Sequence, residues 1–236
     1  MKLLSIVPAR GGSKRLPGKN AMDLGDKPLL WHTLDAVAEH SDTIILTSDS
    51  LEILELGERW YLENTDANIL LHRRDPRFAT DTSKVLEIVC HIVEEHNDFD
   101  AVGLFLPTAP LRNSEDVAAA LIQLRSSDSE GVISTTHYEF PPTLALVKDP
   151  DGFLHCADKS LPFITGNTRS QDHPEMLRPN GAIYIKYMEE FQRDQNFFKG
   201  RVTSYLMPRE RSADIDTELD LKMAELLYER TNKTLG

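Results

Sequence analysis

The sequence predicts an α/β fold built on a largely parallel β-sheet with helices on both faces. Three observations carry that prediction. Short β-branched apolar runs alternate with segments of helical periodicity along the first 135 residues. The runs are almost continuously apolar, as expected of strands covered on both faces. A chain of 236 residues, 40% of them apolar, can bury a sizeable core within one domain, 1–236.

In chain order, Leu3–Val7 (LLSIV), Thr43–Ser48 (TIILTS), Asn68–Leu71 (NILL), Ala101–Leu106 (AVGLFL) and Gly131–Thr135 (GVIST) read as strands. Helical spacing fills the gaps at PLLWHTLDAVAEH, SLEILELGERWY, TSKVLEIVCHIVEEH and SEDVAAALIQLRS. In the third of these, Val85, Ile88, Val89 and Ile92 form the apolar stripe. The rhythm breaks over about 137–179, which carries Pro141, Pro142, Pro150, Pro162, Pro174 and Pro179. That is too long for a plain loop. Phe140, Leu144, Leu146, Val147, Phe153, Leu154 and Phe163 need burial, so the segment reads as an insertion that packs on another subunit or covers a site. A strand at GAIYI, a helix near KYMEEFQRD, a strand at VTSYLM and a last helix complete the domain.

Composition narrows the function classes. The formal net charge of −12 argues against nucleic acid or an anionic membrane as partner, since both demand a broad basic surface. Cys90 and Cys156 make no disulfide framework, and no Cys/His spacing suggests zinc. LLSIV is too short for a signal segment, and no run approaches the ~20 apolar residues of a membrane span. A cytoplasmic protein is expected.

One stretch opposes the overall charge. No acid precedes Asp23, although about three or four are expected in 22 residues at the chain average. Lys2, Arg10, Lys14, Arg15 and Lys19 all fall there. Gly11 and Gly12 can aim successive N–H groups at an anion, with Arg10 and Lys19 adding charge. The spacing is neither G-x-x-x-x-G-K-[ST] nor G-x-G-x-x-G. A solvated basic loop is the alternative. The turn nevertheless follows the first strand, where parallel sheets bind ligands, and that favours a nucleotide triphosphate.

The second informative stretch is SADIDTELDLKMAELL, Ser212 to Leu227. If Asp214–Asp216 is extended, both carboxylates share one face while Ile215 points into the core. Such a pair suits a hard cation like Mg²⁺. The structural alternative is a helix cap at Asp216 or Thr217, with Thr217 to Asp220 as a capping-box variant.

VPARGGSKRLPGKN (Val7–Asn20) resembles the signature of the acylneuraminate cytidylyltransferases, the CMP–sialic acid synthetases, and more loosely their 3-deoxyoctulosonate-activating relatives. The resemblance implies a Rossmann-like nucleotidyltransferase fold and a homodimer held by the 137–179 insertion. It also implies a reaction of CTP with a nine-carbon 2-keto-3-deoxy sugar acid. Arg10, Gly11, Gly12, Ser13, Lys19 and Asn20 would serve the CTP site, with Arg10, Lys19 and Asp216 catalytic. DIDTELDL resembles the family's C-terminal motif, which makes Asp214 and Asp216 the Mg²⁺ ligands. HRRDPRFATDTSK (His72–Lys84) is similar to a family stretch serving CTP and points to Arg74, with a helix start at Asp81 or Thr82. LPTAPLR (Leu106–Arg112) is similar to a motif in which a glutamine contacts the sugar, but Leu106 stands there; Arg112 reads as structural. TRSQDHPEMLRPNGAIYI (Thr168–Ile185) implies Arg169 and Gln171 at the sugar acid, with Ser170 where the family has a second arginine. Tyr184, Phe197 and Phe198 would surround the acyl substituent, or be core. The resemblance runs from Ile6 to about Leu221, and no second catalytic domain is expected after it. A sugar-1-phosphate nucleotidyltransferase and a non-catalytic nucleotide-binding paralogue remain the alternatives. His32, His72, His137 and His155 read as ordinary.

Overall fold

In the computed structural model, which describes residues 1–80 and 83–234, a seven-stranded sheet organises the chain. Its first strands are β1 (Leu3–Pro8), β4 (Thr43–Ser48), β5 (Ile69–Arg73), β6 (Ala101–Leu104) and β7 (Gly131–His137). Two more are β10 (Leu177–Tyr187) and β11 (Val202–Leu206). A short hairpin of β2 (Asp23–Leu24) and β3 (Lys27–Pro28) precedes the first helix. The helices are α1 (Leu29–Ala38), α2 (Leu51–Glu63), α3 (Val85–Glu95), α4 (Ser114–Ser126), α5 (Pro162–Thr165), α6 (Met188–Asp194) and α7 (Glu218–Thr234). The expected helix start at Asp81 or Thr82 lies outside the described residues.

The strand order is β11-β7-β10-β6-β1-β4-β5. β1 pairs in parallel with β4 and β6, and β4 with β5, while β10 runs antiparallel to β6. The sheet is thus mixed, with a parallel majority, as the apolar runs imply.

Two-residue alternation explains the two core layers. Leu3 and Val7 of β1, with Ile44 and Leu46 of β4, face the layer containing residues of α1, α2 and α4. Leu4 and Ile6, with Ile45, face the layer containing Ile88, Val89, Ile92 and Val93 of α3 and Phe191 of α6. A third cluster joins Leu16, Leu24 and Leu29 to Ile215, Leu221 and Ala224. It packs the turn after β1 against the last helix, two segments almost 200 residues apart. Each leucine or isoleucine buried there contributes about 1.5–3 kcal/mol.

The chain divides into two compact units, Met1–Thr135 with Asn180–Gly236, and Thr136–Pro179. The smaller contains the antiparallel hairpin of β8 (Leu146–Lys148) and β9 (Leu154–Cys156), together with α5. Of its apolar side chains expected to need burial, Leu144 is buried; Phe140, Leu146, Val147, Phe153, Leu154 and Phe163 are exposed.

Candidate active site

β1 and β6 are neighbours, yet the chain leaves β1 toward β4 and β5 and returns to β6 on the other side. Open parallel sheets hold ligands at such a switch point, beyond the carboxyl ends of the strands. A cleft of about 220 Å³ lies there. Pro8, Arg10, Lys19 and Asn20 line it after β1, Arg74 after β5, and Leu106, Pro107 and Thr108 after β6.

The turn after β1 differs from its expected form. Neither Gly11 nor Gly12 has a positive φ; the left-handed residue is Gly18, at φ 67°, where the chain enters the short helix Lys19–Ala21. The Gly11–Gly12 step is therefore not a left-handed nest. Gly11 is required by a close approach instead, since a Cβ there would fall 2.5 Å from Cβ of Ser50. Its N–H donates to Asp49 Oδ1 at 3.0 Å. Ser13 is half-buried in the same turn.

Asn20 and Arg74 are fixed in the cleft by backbone acceptors. Asn20 Nδ2 donates to the Arg10 carbonyl at 2.9 Å, while its buried Oδ1 has no donor among the described residues. Arg74 is buried, with Nη2 donating to the Thr47 carbonyl at 2.9 Å. Burial pushes its guanidinium pKa down, against the nearby charge of Asp49. The Arg10 side chain is exposed and makes no hydrogen bond or ion pair among the described residues.

Lys19 ties the turn to the C-terminal aspartates. Its Nζ donates to the Ile215 carbonyl at 2.9 Å and to Asp216 Oδ1 at 3.0 Å. Arg15 Nη2 takes the other oxygen of the same carboxylate, Oδ2, at 2.6 Å. Ile215 is fully buried between the two aspartates, and its N–H donates to the Thr108 carbonyl at 2.7 Å. Asp214 presents exposed surface, but protein crowded around its carboxyl raises the pKa. The Thr108 hydroxyl opposes that shift and the charge of Asp216 adds to it. Helix α7 is capped by Thr217 and Asp220: Asp220 Oδ2 accepts from the Thr217 N–H at 2.7 Å, and Thr217 Oγ1 accepts from the Asp220 N–H at 3.3 Å. The cap therefore leaves the Asp216 carboxylate to other partners.

Among the described residues, no group of three or more His, Cys, Asp or Glu side chains is arranged to hold a metal. Asp214 and Asp216 still fit a Mg²⁺ that keeps phosphate oxygens and waters as its other ligands. A cation would offset the burial, and the lesser repulsion from Asp216, that raise Asp214.

The sugar-side candidates separate. Leu106 lines the cleft. Tyr184 stands on β10 opposite Leu104, half-buried, its phenol pKa raised by burial and then by Asp214. Phe197 belongs to the core, with its ring 4.8 Å from Phe191 and 6.0 Å from Tyr184. Phe198 is exposed, also 6.0 Å from Tyr184. Arg169 and Gln171 are exposed in the smaller unit, where Arg169 pairs with Asp172 at 3.7 Å. Arg112 is structural: its guanidinium donates to the carbonyls of Leu106 and Ala109 and to Thr33 Oγ1, and burial pushes its pKa down to about 9. It fixes the loop whose first three residues line the cleft. Asp49 and Thr108 were not singled out from the sequence, and Arg15 was read only as part of the basic stretch, though TSDS ends a strand at the ligand-bearing edge and could have drawn attention to Asp49.

Residues 4–217 match the family described as cytidylyltransferase. The chain belongs to that family. It is 33% identical over 227 residues to an N-acylneuraminate cytidylyltransferase of Streptococcus agalactiae, with 93% of this chain and 52% of that protein covered. The chain thus spans about half the length of that relative. A pseudaminic acid cytidylyltransferase of Campylobacter jejuni is 28% identical, with 97% of each chain covered. A CMP-N,N'-diacetyllegionaminic acid synthase of Legionella pneumophila is 29% identical, with 100% of each covered. The fold is also that of a CMP:2-keto-3-deoxy-manno-octonic acid synthetase solved with CTP. That match has a TM-score of 0.66 at 14% identity and covers 98% of this chain and 100% of the other.

Proposed function

We propose that this family member joins CTP to a nine-carbon 2-keto-3-deoxy sugar acid, giving the CMP-sugar and pyrophosphate with Mg²⁺ bound. The observation that carries this reading is the Lys19–Asp216 link. It sets a basic turn and a carboxylate pair side by side at the sheet's switch point. Sialic, pseudaminic and legionaminic acids, the sugars of the relatives' names, share that acid chemistry.

The anomeric hydroxyl oxygen forms a bond to the α-phosphorus, the bond from that phosphorus to the bridging oxygen breaks so that pyrophosphate leaves, and the hydroxyl proton passes to solvent water. Catalysis of this kind consists mainly of positioning and charge stabilisation. Arg10 and Lys19 hold the β- and γ-phosphates and stabilise the departing pyrophosphate. Gly11 and Ser13 shape the turn around them. Arg74, already locked to the end of β4, presents a fixed charge, and the spare acceptor Oδ1 of Asn20 suits a hydroxyl or amine of the nucleoside. Asp214 and Asp216 would hold Mg²⁺, which would supply charge to orient the phosphates and acidify the attacking hydroxyl. On the sugar side, Arg169 and Gln171 would receive the carboxylate and hydroxyls, and Tyr184 and Phe198 the acyl group. Leu106 offers an apolar wall. A homodimer, formed through the smaller unit, would complete the site.

The test is pyrophosphate release from CTP and Mg²⁺ against sialic, legionaminic, pseudaminic and 3-deoxyoctulosonic acids. Release with one nine-carbon acid is expected. Release only with the eight-carbon acid would transfer the chain to the 3-deoxyoctulosonate reaction. No release while CTP still binds would remove the catalytic reading.

A further inference from the structure

Both oxygens of the Asp216 carboxylate are already in use. Oδ1 accepts from Lys19 at 3.0 Å and Oδ2 from Arg15 at 2.6 Å. A divalent cation cannot take either oxygen without displacing a positive group or lying beside one. We infer that Arg15, acting with Lys19, competes with the metal for Asp216, so that triphosphate and metal bind as a mutually dependent pair. The inference rests on the nucleotidyltransferase reading and adds Arg15 to it as a positioning residue.

The two cations differ in mobility. The Lys19 side chain is 10% exposed and is also held by the Ile215 carbonyl; that of Arg15 is 66% exposed, and Asp216 is its one hydrogen-bond and ion-pair partner among the described residues. An exposed Arg–carboxylate pair contributes little to fold stability, so Arg15 is free to exchange one anion for another. A triphosphate offers Lys19 and Arg15 phosphate oxygens that a guanidinium can grip with two parallel bonds. Their departure leaves the Asp216 carboxylate without a positive partner beside the new anion. A metal then gains a vacant ligand, and the phosphates gain a neutralising charge. By linkage, each ligand tightens the other by the same factor.

Asp214 provides the control. It adds the same negative charge nearby, yet neither Lys19 nor Arg15 bonds to it among the described residues. CTP affinity is measured by calorimetry in EDTA for wild type, Asp216→Asn and Asp214→Asn, with thermal melts confirming folding. Asp216→Asn should bind metal-free CTP about tenfold tighter, within the roughly 5–150-fold range of ordinary site coupling. Asp214→Asn should shift affinity by much less. Equal effects of the two variants would reduce the result to general electrostatics and overturn the inference, as would no effect in Asp216→Asn. In a second measurement, free Mn²⁺ is counted by electron paramagnetic resonance without nucleotide. Arg15→Ala should bind Mn²⁺ about tenfold tighter than wild type; unchanged or weaker binding overturns the role of Arg15. Wild type that binds no CTP under any condition would bring down the functional reading itself, a result distinct from the other outcomes.

Discussion

Arg10 is the residue at which function and stability separate most cleanly. Its side chain is exposed and unbonded among the described residues, so the fold does not depend on it. Removing one preorganised charge from a site of this kind costs about 10²–10³-fold in turnover. Arg10→Ala should therefore lose that much activity while its melting temperature stays within a degree or so of wild type. Near-normal turnover would remove the turn from the mechanism. His32 gives the opposite case. It is buried in α1, Nε2 donates to the Leu24 carbonyl at 2.9 Å, and burial lowers its pKa below 6.5. Between that lowered value and 6.5 the unfolded chain binds the extra proton and the folded chain does not. Stability from this site is full above 6.5 and is lost as pH falls through the folded pKa. The melting temperature should drop from about pH 7.5 to about pH 5.5 more steeply in wild type than in His32→Gln; parallel curves would assign the acid sensitivity elsewhere. At this scale the sequence was readable where chemistry is local. Arg10, Lys19 and Asn20 occupy one turn whose charge opposes the whole. The bond from Arg15 to Asp216 spans 201 residues and depends on the Leu16–Ile215 packing, which no local pattern announces.

Elements were legible where burial is two-sided. Thr43–Ser48 and Ser114–Ser126 appear at their expected limits, because continuous apolar character and the Asn113–Asp116 capping box mark them strongly. The AVGLFL run ends early as a strand, at Leu104. Phe105 still donates to the Ile6 carbonyl at 3.0 Å, but Leu106 to Thr108 turn out to line the cleft. In α3 Ile88, Val89 and Ile92 are buried as expected, but Val85 is exposed, since it opens the helix beside the cleft, and Val93 is buried in addition. The hairpin of β8 and β9 went unread, for both strands lie exposed in a proline-rich segment and neither shows a burial pattern. The turn between β1 and the helix Lys19–Ala21 gives a prediction for the element itself. A methyl on Gly11 collides with Cβ of Ser50 and crowds its Oγ, at the start of α2, whereas one on Gly12 meets nothing within 4 Å. Gly11→Ala should cost about 1–3 kcal/mol and weaken CTP binding by displacing the turn. Gly12→Ala should melt like wild type. Equal melting temperatures for the two would show that the approach to α2 is not what Gly11 serves.

At the scale of the molecule, the unit Thr136–Pro179 is too small to bury its own apolar surface. Phe153 is 68% exposed and Ile164 76%, with Phe140 and Leu154 similarly open. Apolar surface of this extent marks an interaction site in an ordinary protein. A second copy of the chain is the partner that a homodimer through this unit requires. Sedimentation should then give a dimer, and Phe153→Asp with Ile164→Asp should give a monomer. Because CTP candidates such as Arg10, Lys19 and Arg74 all belong to the larger unit, that monomer should bind CTP as wild type does. Arg169 and Gln171 belong to the smaller one, so sugar-dependent pyrophosphate release should fall with dimer content. A wild-type chain that sediments as a monomer would sink the dimer. A doubly substituted monomer that keeps full turnover would show instead that the two copies work independently.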